Sequence, residues 1–338
     1  MLGGEYVLKV HIVTHTDLDG VASAAIYLRL SGLKLGVDAS LTFTEPHKLH
    51  KTLQSIESVN RIVIMDLGPN TSTIEKIADT LAGFTSKGVA VEWYDHHRWQ
   101  EEWIARLREL GVRVHIDTTT CAAGVVARYA PKELGIDVDD YAEKLAAITC
   151  AADLWRWDEP MATRLYRVVD RYRGARGDQW RRRLVEGFVS GSLWWPELDG
   201  ALSDYLRLEF SGFNYALRNT VVRDINGCRV VAVLKRPGPP SASILGNILL
   251  SRFSADIAVI VRARGSKGIS FRSSRINVRE IAIRLGGGGH PKAAGAPLSL
   301  SLPERLIALF YPKVKLKAVM RSVEAVLREL GGCEKLRL

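Results

Sequence analysis

Residues 61–97 read RIVIMDLGPNTSTIEKIADTLAGFTSKGVAVEWYDHH and carry the clearest structural pattern in the chain. The stretch begins with a β-branched run, Arg61–Asp66, and ends with a second apolar run, Gly88–Asp95, so that each run finishes on an acid. Between the two runs, Thr71–Ala82 has the periodicity of a helix. A strand, a helix and another strand in this order predict a right-handed βαβ unit with two parallel strands.

The alternation of strands and helices extends on both sides of this unit. Apolar runs typical of strands occur at Val7–Thr14, Leu41–Thr44 and Val112–Asp117. Helical patterns occur at Gly20–Leu30, from His47 onward, and at Trp99–Leu110, Gly124–Tyr129 and Asp140–Ala152. Such alternation predicts an α/β domain with a mainly parallel sheet flanked by helices, which we place at residues 1–160.

The middle of the chain, residues 161–218, has few strand patterns and many arginines. They include Arg164, Arg167, Arg171, Arg173, Arg176, Arg181, Arg182 and Arg183. We predict helices that form a linker or cap, interrupted at Trp194-Trp195-Pro196. Several of the arginines recur at helical spacing among aromatic residues, a pattern that favours a solvated helix face with aromatic residues in the core. The alternative is a surface that follows a nucleic-acid backbone and stacks bases.

Strand patterns return in the last third of the chain. They occur at Arg229–Leu234, Asp256–Val261 and Gly268–Arg272, and a helical pattern occurs at Ser241–Leu250. We therefore predict a second, smaller α/β domain at residues 219–338, and a bilobal α/β protein overall.

The composition is that of a folded protein with a positive net charge. The 338 residues are 47% hydrophobic and 25% charged, which argues against a disordered, collagen-like or coiled-coil chain. Lysine and arginine number 47 against 37 acidic residues, which gives a formal charge of +10. This charge favours polyanionic partners such as nucleic acids, nucleotides and phosphorylated metabolites, although many basic proteins bind none of these.

The sequence contains no pattern typical of a membrane or export segment. No run of about 18 uncharged apolar residues occurs, and Met1–Val13 is interrupted by charged residues. The four cysteines are far apart and form no C-x-x-C pair, so we predict neither a zinc ribbon nor a disulfide framework. They are Cys121, Cys150, Cys228 and Cys333. The expectation is a cytoplasmic protein with reduced cysteines.

Acids and histidines of the first domain fall where predicted strands and one predicted helix end. The set comprises His15, Asp17, Asp19, Asp66, Asp95, His96, His97 and, after the helix, Asp153. Ligands of open parallel sheets bind outside the carboxyl ends of the strands, so we expect the strand-end residues on one rim. Taken singly, such residues more often belong to a turn, a helix cap or a solvated surface, and it is their joint pattern at successive strand ends that predicts a site.

A cluster of carboxylates on one rim predicts divalent cations. Neighbouring carboxylates repel one another, and burial makes their charges costlier. One carboxylate can bridge two cations about 3.5–4 Å apart, and such a pair activates water and stabilises the attacking and leaving oxygens. Mixed aspartate and histidine ligands favour Mn²⁺ over Mg²⁺, while Zn²⁺ and Fe²⁺ stay open.

A second group of candidate binding residues lies in the predicted C-terminal domain. It comprises Arg272, Ser273, Gly288, Gly289 and His290, within and beside a run of glycines at 286–289. An arginine can hold a phosphate through two hydrogen bonds, and glycines let backbone N–H groups approach an anion closely. The run matches neither the Walker A nor the Rossmann pattern. The alternative is a flexible connector.

Together these motifs resemble those of the DHH phosphoesterase superfamily. The resemblance lies in Asp95-His96-His97, the triplet that names the family, and in His15–Gly20, Asp66 and Asp153, which resemble its first, second and fourth motifs. Arg272-Ser273 and Gly287–His290 resemble the DHH-associated C-terminal domain. One departure is Val13, where several members carry a ligand histidine; His15 instead resembles the H-x-D-x-D-G form of RecJ-like and archaeal members.

The resemblance implies a two-metal hydrolase. One cation would lie on Asp17 and Asp66 and the other on Asp19, Asp66, His96 and Asp153, with His15 as a ligand or a direct neighbour of the ligands. His97 would contact the scissile phosphate, and the distal part of the substrate would lie on Arg272, Ser273, Gly288, Gly289 and His290. The implied reaction is hydrolysis of a phosphoester, in which water attacks phosphorus in line with the leaving alkoxide and no covalent intermediate forms.

The predicted substrate is a short single-stranded oligonucleotide degraded from one end, with phosphatase activity on 3′-phosphoadenosine 5′-phosphate as a further expectation. The chain length resembles the nanoRNase and pAp-phosphatase branch of the superfamily, and the charge favours a chain of phosphates. Alternatives are a small-nucleotide phosphatase, a cyclic-dinucleotide phosphodiesterase and a non-catalytic nucleic-acid-binding scaffold. RNA or DNA preference, polarity of digestion and oligomeric state stay open.

Overall fold

The computed structural model describes residues 9–264 and 268–338, so Val7 and Leu8 of the first predicted strand lie outside the described residues. The chain divides into two compact units, one up to Leu202 and one from Ser203 to Leu338. Both units are mixed α/β, which confirms the predicted fold class. The predicted boundaries at residues 160 and 218 stay a prediction.

Among its described residues, the first unit contains five strands and eight α-helices, followed by a helix that crosses into the second unit. The strands are β1 (Val10–Thr14), β2 (Ala39–Phe43), β3 (Arg61–Met65), β4 (Ala90–Asp95) and β5 (Val112–Ile116). The helices are α1 (Leu18–Ser31), α2 (Leu49–Gln54), α3 (Ile74–Thr85), α4 (Glu101–Glu109), α5 (Ala122–Leu134), α6 (Asp140–Asp153), α7 (Pro160–Val169), α8 (Gly174–Val189) and the crossing helix α9 (Pro196–Arg218).

The sheet of the first unit is wholly parallel, in the order β2-β1-β3-β4-β5. Strand β1 pairs with β2 on one side and β3 on the other, so the connections after β1 and β3 leave in opposite directions. In open sheets this reversal marks the crevice in which ligands bind. The carboxyl ends of β1, β3 and β4 are neighbours there, which confirms the predicted mainly parallel sheet and brings together the loops that follow these strands.

Two hydrophobic cores cover the two faces of this sheet, because successive strand side chains point to opposite sides. Ile12 and Tyr94 pack in the core formed with α1 and α5–α8, whereas Val13 and Trp93 pack in the core formed with α2–α4. The helices of the arginine-rich middle belong to the first core through Leu165, Val168, Trp180, Leu184 and Phe188. These helices were expected, and their apolar faces are buried.

Helix α3 begins three residues later than its predicted start at Thr71. The preceding Asn70 accepts hydrogen bonds from the backbone and hydroxyl of Ser72. The residues from Thr71 to Thr73 therefore form a turn and not the first turn of the helix, because asparagine side chains compete locally with helical hydrogen bonds.

A buried ionic network lies within the first unit around Glu92 of β4, which is 1% exposed. Its Oε2 accepts hydrogen bonds from the hydroxyls of Tyr27 (3.1 Å) and Tyr94 (2.9 Å). Its Oε1 accepts from Arg113 (2.6 Å) and lies 3.4 Å from Nε of Arg61. Every oxygen of this buried carboxylate therefore has partners, which is the condition for a buried charge to be tolerated.

In the part of the second unit that the structure describes, there are a six-stranded sheet and four further α-helices. The strands are β6 (Thr220–Ile225), β7 (Cys228–Lys235), β8 (Ile257–Arg262), β9 (Gly268–Arg272), β10 (Gly288–His290) and β11 (Ala293–Pro297). The helices are α10 (Ala242–Arg252), α11 (Val278–Arg284), α12 (Leu302–Phe310) and α13 (Val314–Glu329). The strand order is β10-β11-β9-β8-β7-β6, and β7 and β8 form its one parallel pair among the described residues.

Two features of this sheet were not predicted. Strand β6 joins β7 through Asn226 and Gly227, both in the left-handed region (φ 47° and 77°), and Asn-Gly between two apolar runs is a strong hairpin pattern. The glycine run is not a loop, because Gly288–His290 pairs with β11. A Cβ on Gly289 would lie 2.7 Å from Cα of Ala294, so glycine allows this close backbone approach.

The prediction of reduced cysteines was wrong. Cys121 forms a disulfide with Cys150, and Cys228 forms one with Cys333, with Cα atoms 5.1 Å apart in each pair. The pairs are separated by 29 and 105 residues, so spacing along the chain gave no indication of them, and folding brings them together. Among the described helices, none is long and apolar enough to cross a membrane.

Candidate metal centre

The loop after β1 is fixed by a tight helix start. Asp17 is the N-cap residue of α1, and its carboxylate accepts a hydrogen bond from the backbone N–H of Gly20 (3.1 Å). A Cβ on Gly20 would lie 2.3 Å from the carbonyl oxygen of His15, so this position requires glycine. The capping geometry turns the carboxylate of Asp17 back towards His15, whose Nδ1 lies 2.9 Å away.

Asp19 is held by the N-terminus of another helix. It is 1% exposed, and its two oxygens accept hydrogen bonds from the backbone N–H groups of Ala122 and Ala123, both at 2.7 Å. These two residues form the first turn of α5, where unpaired N–H groups and the helix dipole stabilise a negative charge. The orientation of Asp19 therefore depends on the position of α5.

Asp66 follows β3 in a backbone conformation that is unusual for a residue with a side chain. Its φ is 55°, in the left-handed region, and such residues concentrate at functional sites. Asp66 is 3% exposed, and its buried Oδ2 makes no hydrogen bond among the described residues. Nδ1 of His15 lies 3.5 Å from that oxygen.

The residues after β4 have different orientations. Asp95 is fully buried, and its two oxygens accept hydrogen bonds from Nδ1 of His97 (2.8 Å) and from the Trp99 indole (2.7 Å). Asp95 therefore orients His97. Nε2 of His96 lies 3.8 Å from Asp19 and 3.6 Å from both Asp66 and Asp153.

The structure brings all six predicted metal ligands together in two adjoining groups. In each group, the potential ligand atoms lie within 4.8 Å of one another. One group is His15, Asp17 and Asp66; the other is Asp19, His96 and Asp153. Asp66 also belongs to a third group with Asp95, His96 and His97, so it lies next to both His15 and His96.

The electrostatics of these groups fit bound cations. Burial and the neighbouring Asp17 raise the pKa of Asp66, and burial with the charges of Asp66 and Asp153 raises the pKa of Asp19. Burial also raises the pKa of Asp153. These carboxylates oppose one another's ionisation, and Oδ2 of Asp66 makes no hydrogen bond among the described residues. Together they form a donor set that divalent cations would stabilise.

His15 has contacts that sequence reasoning did not identify. Burial acts to lower the pKa of His15, but Asp17, Asp66 and Glu45 outweigh it and raise that pKa. Glu45 lies 3.3 Å from Nε2 of His15 and accepts a hydrogen bond from the hydroxyl of Thr16. Glu45 follows the short strand β2, so the strand-end argument could have identified it.

Arg181 of α8 is a second residue that the sequence did not distinguish from its neighbours. It is 6% exposed, and its Nε donates to the backbone carbonyl of Thr16, between His15 and Asp17. Gly177 makes room for it, because a Cβ there would lie 2.8 Å from Nη1 of Arg181. One arginine of the middle segment therefore holds the loop after β1.

Replacing Arg181 by alanine is expected to weaken metal binding about 10-fold, because residues that hold ligands in place typically contribute 10- to 100-fold to metal affinity. Titration of the metal-free protein with Mn²⁺ would measure the change. Arg183→Ala is the matched control, since Arg183 lies on the same helix but is largely exposed and pairs with Glu197. Equal affinities of the two variants would contradict this role of Arg181.

In the second unit, Arg272 ends β9 and contacts helix α10. Its Nε and Nη2 donate to the hydroxyl of Ser243 at 3.2 and 3.0 Å. Gly246 allows this packing, because a Cβ there would lie 2.6 Å from Cγ of Arg272. Ser243 was not predicted; it lies in the first turn of α10, two residues after the N-cap residue Ser241.

The other predicted binding residues of this unit differ in their surroundings. Ala293 pairs with Arg272 on one side and with His290 on the other, so Arg272 and the exposed His290 are two strands apart at the same end of the sheet.

The hydroxyl of Ser273 donates to the carbonyl of Asp256 (2.6 Å) and accepts from two backbone N–H groups. These three bonds use its hydrogen-bonding capacity to hold the turn after β9.

The second unit resembles a known domain family, and most of the chain resembles a known protein. The DHHA1 domain family matches residues 228–332. Oligoribonuclease NrnB of Bacillus subtilis (strain 168) is 22% identical over 315 residues, which cover 88% of this chain and 75% of the relative.

Solved structures show the same fold. RecJ from Thermus thermophilus in complex with Mn²⁺ has a TM-score of 0.56 at 18% identity over 92% of this chain. The match spans about half (52%) of that longer protein. A second manganese-bound exonuclease RecJ has a TM-score of 0.55 at 18% identity, and the match covers 92% of this chain and 90% of that one.

Proposed function

We propose that this chain, which belongs to the DHH phosphoesterase superfamily, is a metal-dependent hydrolase that removes nucleotides from an end of short single-stranded oligonucleotides. The observation that carries the proposal is the convergence of six aspartate and histidine side chains at the carboxyl ends of β1, β3 and β4 and of helix α6. Such a centre suits phosphoester hydrolysis, in which charge develops on the attacking and leaving oxygens.

We propose Mn²⁺ as the metal because the donor set mixes imidazole with carboxylates. His15, Asp17 and Asp66 would hold one ion, and Asp19, Asp66, His96 and Asp153 the other. When bound, two such ions supply charge stabilisation and lower the pKa of water. The manganese-bound RecJ structures, which share the fold, support this choice.

The chain's own residues have distinct proposed roles in the reaction. Asp95 fixes Nδ1 of His97, which leaves Nε2 of that ring to contact a phosphate oxygen. Burial acts to lower the pKa of His97, but the contacts with Asp95 raise it, which favours the protonated ring beside a phosphate. Arg272, with its guanidinium held by Ser243, would bind a more distal phosphate together with the backbone of Gly288 and Gly289.

An oligonucleotide substrate is supported by two observations. The chain carries a formal charge of +10, which favours a chain of phosphates over one small nucleotide. The relative that matches along most of both chains is named an oligoribonuclease.

The test is a substrate panel with metal-stripped protein. A short labelled RNA, a longer single strand and 3′-phosphoadenosine 5′-phosphate would each be incubated with and without Mn²⁺. We expect Mn²⁺-dependent release of mononucleotides, fastest from the short RNA. Preference for 3′-phosphoadenosine 5′-phosphate would replace the oligonuclease proposal by a nucleotidase, and release from none would reject hydrolysis. Asp153→Asn protein purified in parallel controls for contaminating nucleases.

Replacing Arg272 by alanine is expected to raise KM for the short RNA about 10- to 100-fold, because hydrogen bonds to charged groups contribute about 1.5–3 kcal/mol. Mn²⁺ affinity should stay unchanged, since Arg272 is in none of the ligand groups. The matched control is Arg284→Ala, an exposed arginine of the same unit that pairs with Glu329. A KM equal to that of the control would reject the proposed role of Arg272.

A further inference from the structure

The Cys121–Cys150 disulfide lies beside the second group of metal ligands. Cys121 is fully buried and is the N-cap residue of α5, and Cys150 is 5% exposed in the last turns of α6. The bond therefore joins the start of one helix to the end of another. Helix α6 ends on the candidate ligand Asp153, and the first turn of α5 binds the candidate ligand Asp19.

On the α5 side, the disulfide is adjacent to the residues that hold Asp19. Cys121 directly precedes Ala122 and Ala123, whose N–H groups bind the two oxygens of Asp19 at 2.7 Å. Asp19 has a fixed orientation only while this helix start keeps its place, because both oxygens depend on it. A displacement of Cys121 would move the N–H group of Ala122, the next residue, and would thereby change the position of the Asp19 carboxylate.

On the α6 side, the disulfide is within one helical turn of another ligand. Cys150 precedes Asp153, the last residue of α6, by three positions, and its carbonyl accepts the N–H of Leu154. The two helices are in close contact here, since a Cβ on Gly124 would lie 3.2 Å from Sγ of Cys150. The disulfide thus connects the backbones that carry Asp153 and that bind Asp19.

We infer that Cys121 and Cys150 are positioning residues for the cation of the Asp19, His96 and Asp153 group, an inference that rests on the proposed metal centre. Nε2 of His96 lies 3.8 Å from Asp19 and 3.6 Å from Asp153, so the group needs α5 and α6 at a fixed separation. The group of His15, Asp17 and Asp66 lies on loops after β1 and β3, which the disulfide does not join.

The chain offers a matched control. Cys228 and Cys333 join the start of β7 to the segment after α13, and both lie in the second unit, which contains none of the six ligands. Removing either disulfide removes one covalent cross-link between two buried cysteines. Only the first is expected to change metal binding.

The experiment is a Mn²⁺ titration of the metal-free wild-type protein, Cys121→Ala/Cys150→Ala and Cys228→Ala/Cys333→Ala, followed by calorimetry. We expect two sites in the wild type, and a loss of about 10- to 100-fold in the affinity of one site only in the first double variant. The control should keep both affinities. Unchanged affinities in the first variant, or equal losses at both sites, would overturn the inference.

Reduction of the folded protein gives a test that does not require the first double variant to fold. In the Cys228→Ala/Cys333→Ala background, a dithiol reductant would donate two electrons and two protons to the remaining disulfide. The products are the thiols of Cys121 and Cys150 and the cyclic disulfide of the reductant. We expect the affinity of one Mn²⁺ site to fall and to recover on reoxidation. Unchanged affinity after complete reduction, or free thiols at Cys121 and Cys150 in protein purified without reductant, would reject the inference.

These measurements use no nucleotide, so they separate this inference from the proposed function. A wild-type protein that binds no Mn²⁺ would reject the metal centre and with it both proposals. A wild-type protein that binds two ions, with identical binding in all variants, would reject only the positioning role of the disulfide.

Discussion

Replacing Asp66 by asparagine is expected to lower turnover of a short RNA about a thousandfold or more, because metal charge stabilisation contributes several kcal/mol and each ~1.4 kcal/mol is a factor of ten. Asp66 belongs to the first ligand group with His15 and lies 3.6 Å from Nε2 of His96 in the second. Its loss should therefore weaken the binding of both ions. Initial rates with Mn²⁺ and the number of ions bound would measure this effect.

The fold should tolerate this substitution. Asparagine adopts the left-handed conformation that Asp66 has (φ 55°) more readily than most residues. The amide also removes a buried charge that repels Asp17 and Asp153, so the metal-free variant should be at least as stable as the wild type. Thermal unfolding without metal checks this expectation.

The matched control for Asp66 is Asp158→Asn, since Asp158 is an exposed acid just beyond α6 that pairs with Arg156. We expect it to keep wild-type activity and ion stoichiometry. If Asp66→Asn retained activity comparable to this control, Asp66 would not be the bridging ligand.

Replacing Glu92 by alanine is expected to lower the free energy of unfolding of the first unit by about 3–5 kcal/mol, the usual cost of removing one partner of a buried ion pair. The variant would leave the buried hydroxyls of Tyr27 and Tyr94 without their acceptor. Arg61 and Arg113 would lose the same carboxylate. The effect should be on stability, because Glu92 lies on β4 outside the ligand groups.

Urea unfolding followed by tryptophan fluorescence would measure this loss in the intact protein. All eight tryptophans lie at or before Trp195, so the fluorescence reports on the first unit. Glu75→Ala is the control, because Glu75 is an exposed glutamate of α3 that pairs with Arg106, and exposed pairs contribute about 0–1 kcal/mol. A Glu92 variant as stable as this control would show that the network does not stabilise the fold.

The sheet of the first unit could be predicted from sequence because its strands are short apolar runs between helical patterns. The convergence of the candidate ligands could be predicted for the same reason, since each of Asp17, Asp66 and His96 follows the end of a strand. In the second unit, Asn226-Gly227 is a hairpin pattern that was present in the sequence and overlooked. The pairing of the glycine run with β11 could not be predicted from the sequence, because glycine has no side chain whose periodicity could indicate a strand.

Contacts between distant segments could not be predicted. Arg181 is one of ten arginines between residues 161 and 218, and only the packing of α8 distinguishes it by burying it against Thr16. Asp95 could be recognised as part of a triplet, but its hydrogen bonds to His97 and Trp99 depend on the loop conformation. The two disulfides likewise depend on how the helices and strands pack, and the number of residues between two cysteines does not indicate that packing.

The burial of α7 and α8 in the core of the first unit sets a minimum length for any truncated form. A fragment that stopped at residue 160 would retain every candidate ligand but would expose the apolar side chains of α1 that these helices cover, and it would lack the guanidinium that holds Thr16. Domain dissection, or transplantation of this centre onto another scaffold, must therefore carry the chain through Leu202, the last residue that packs against that core.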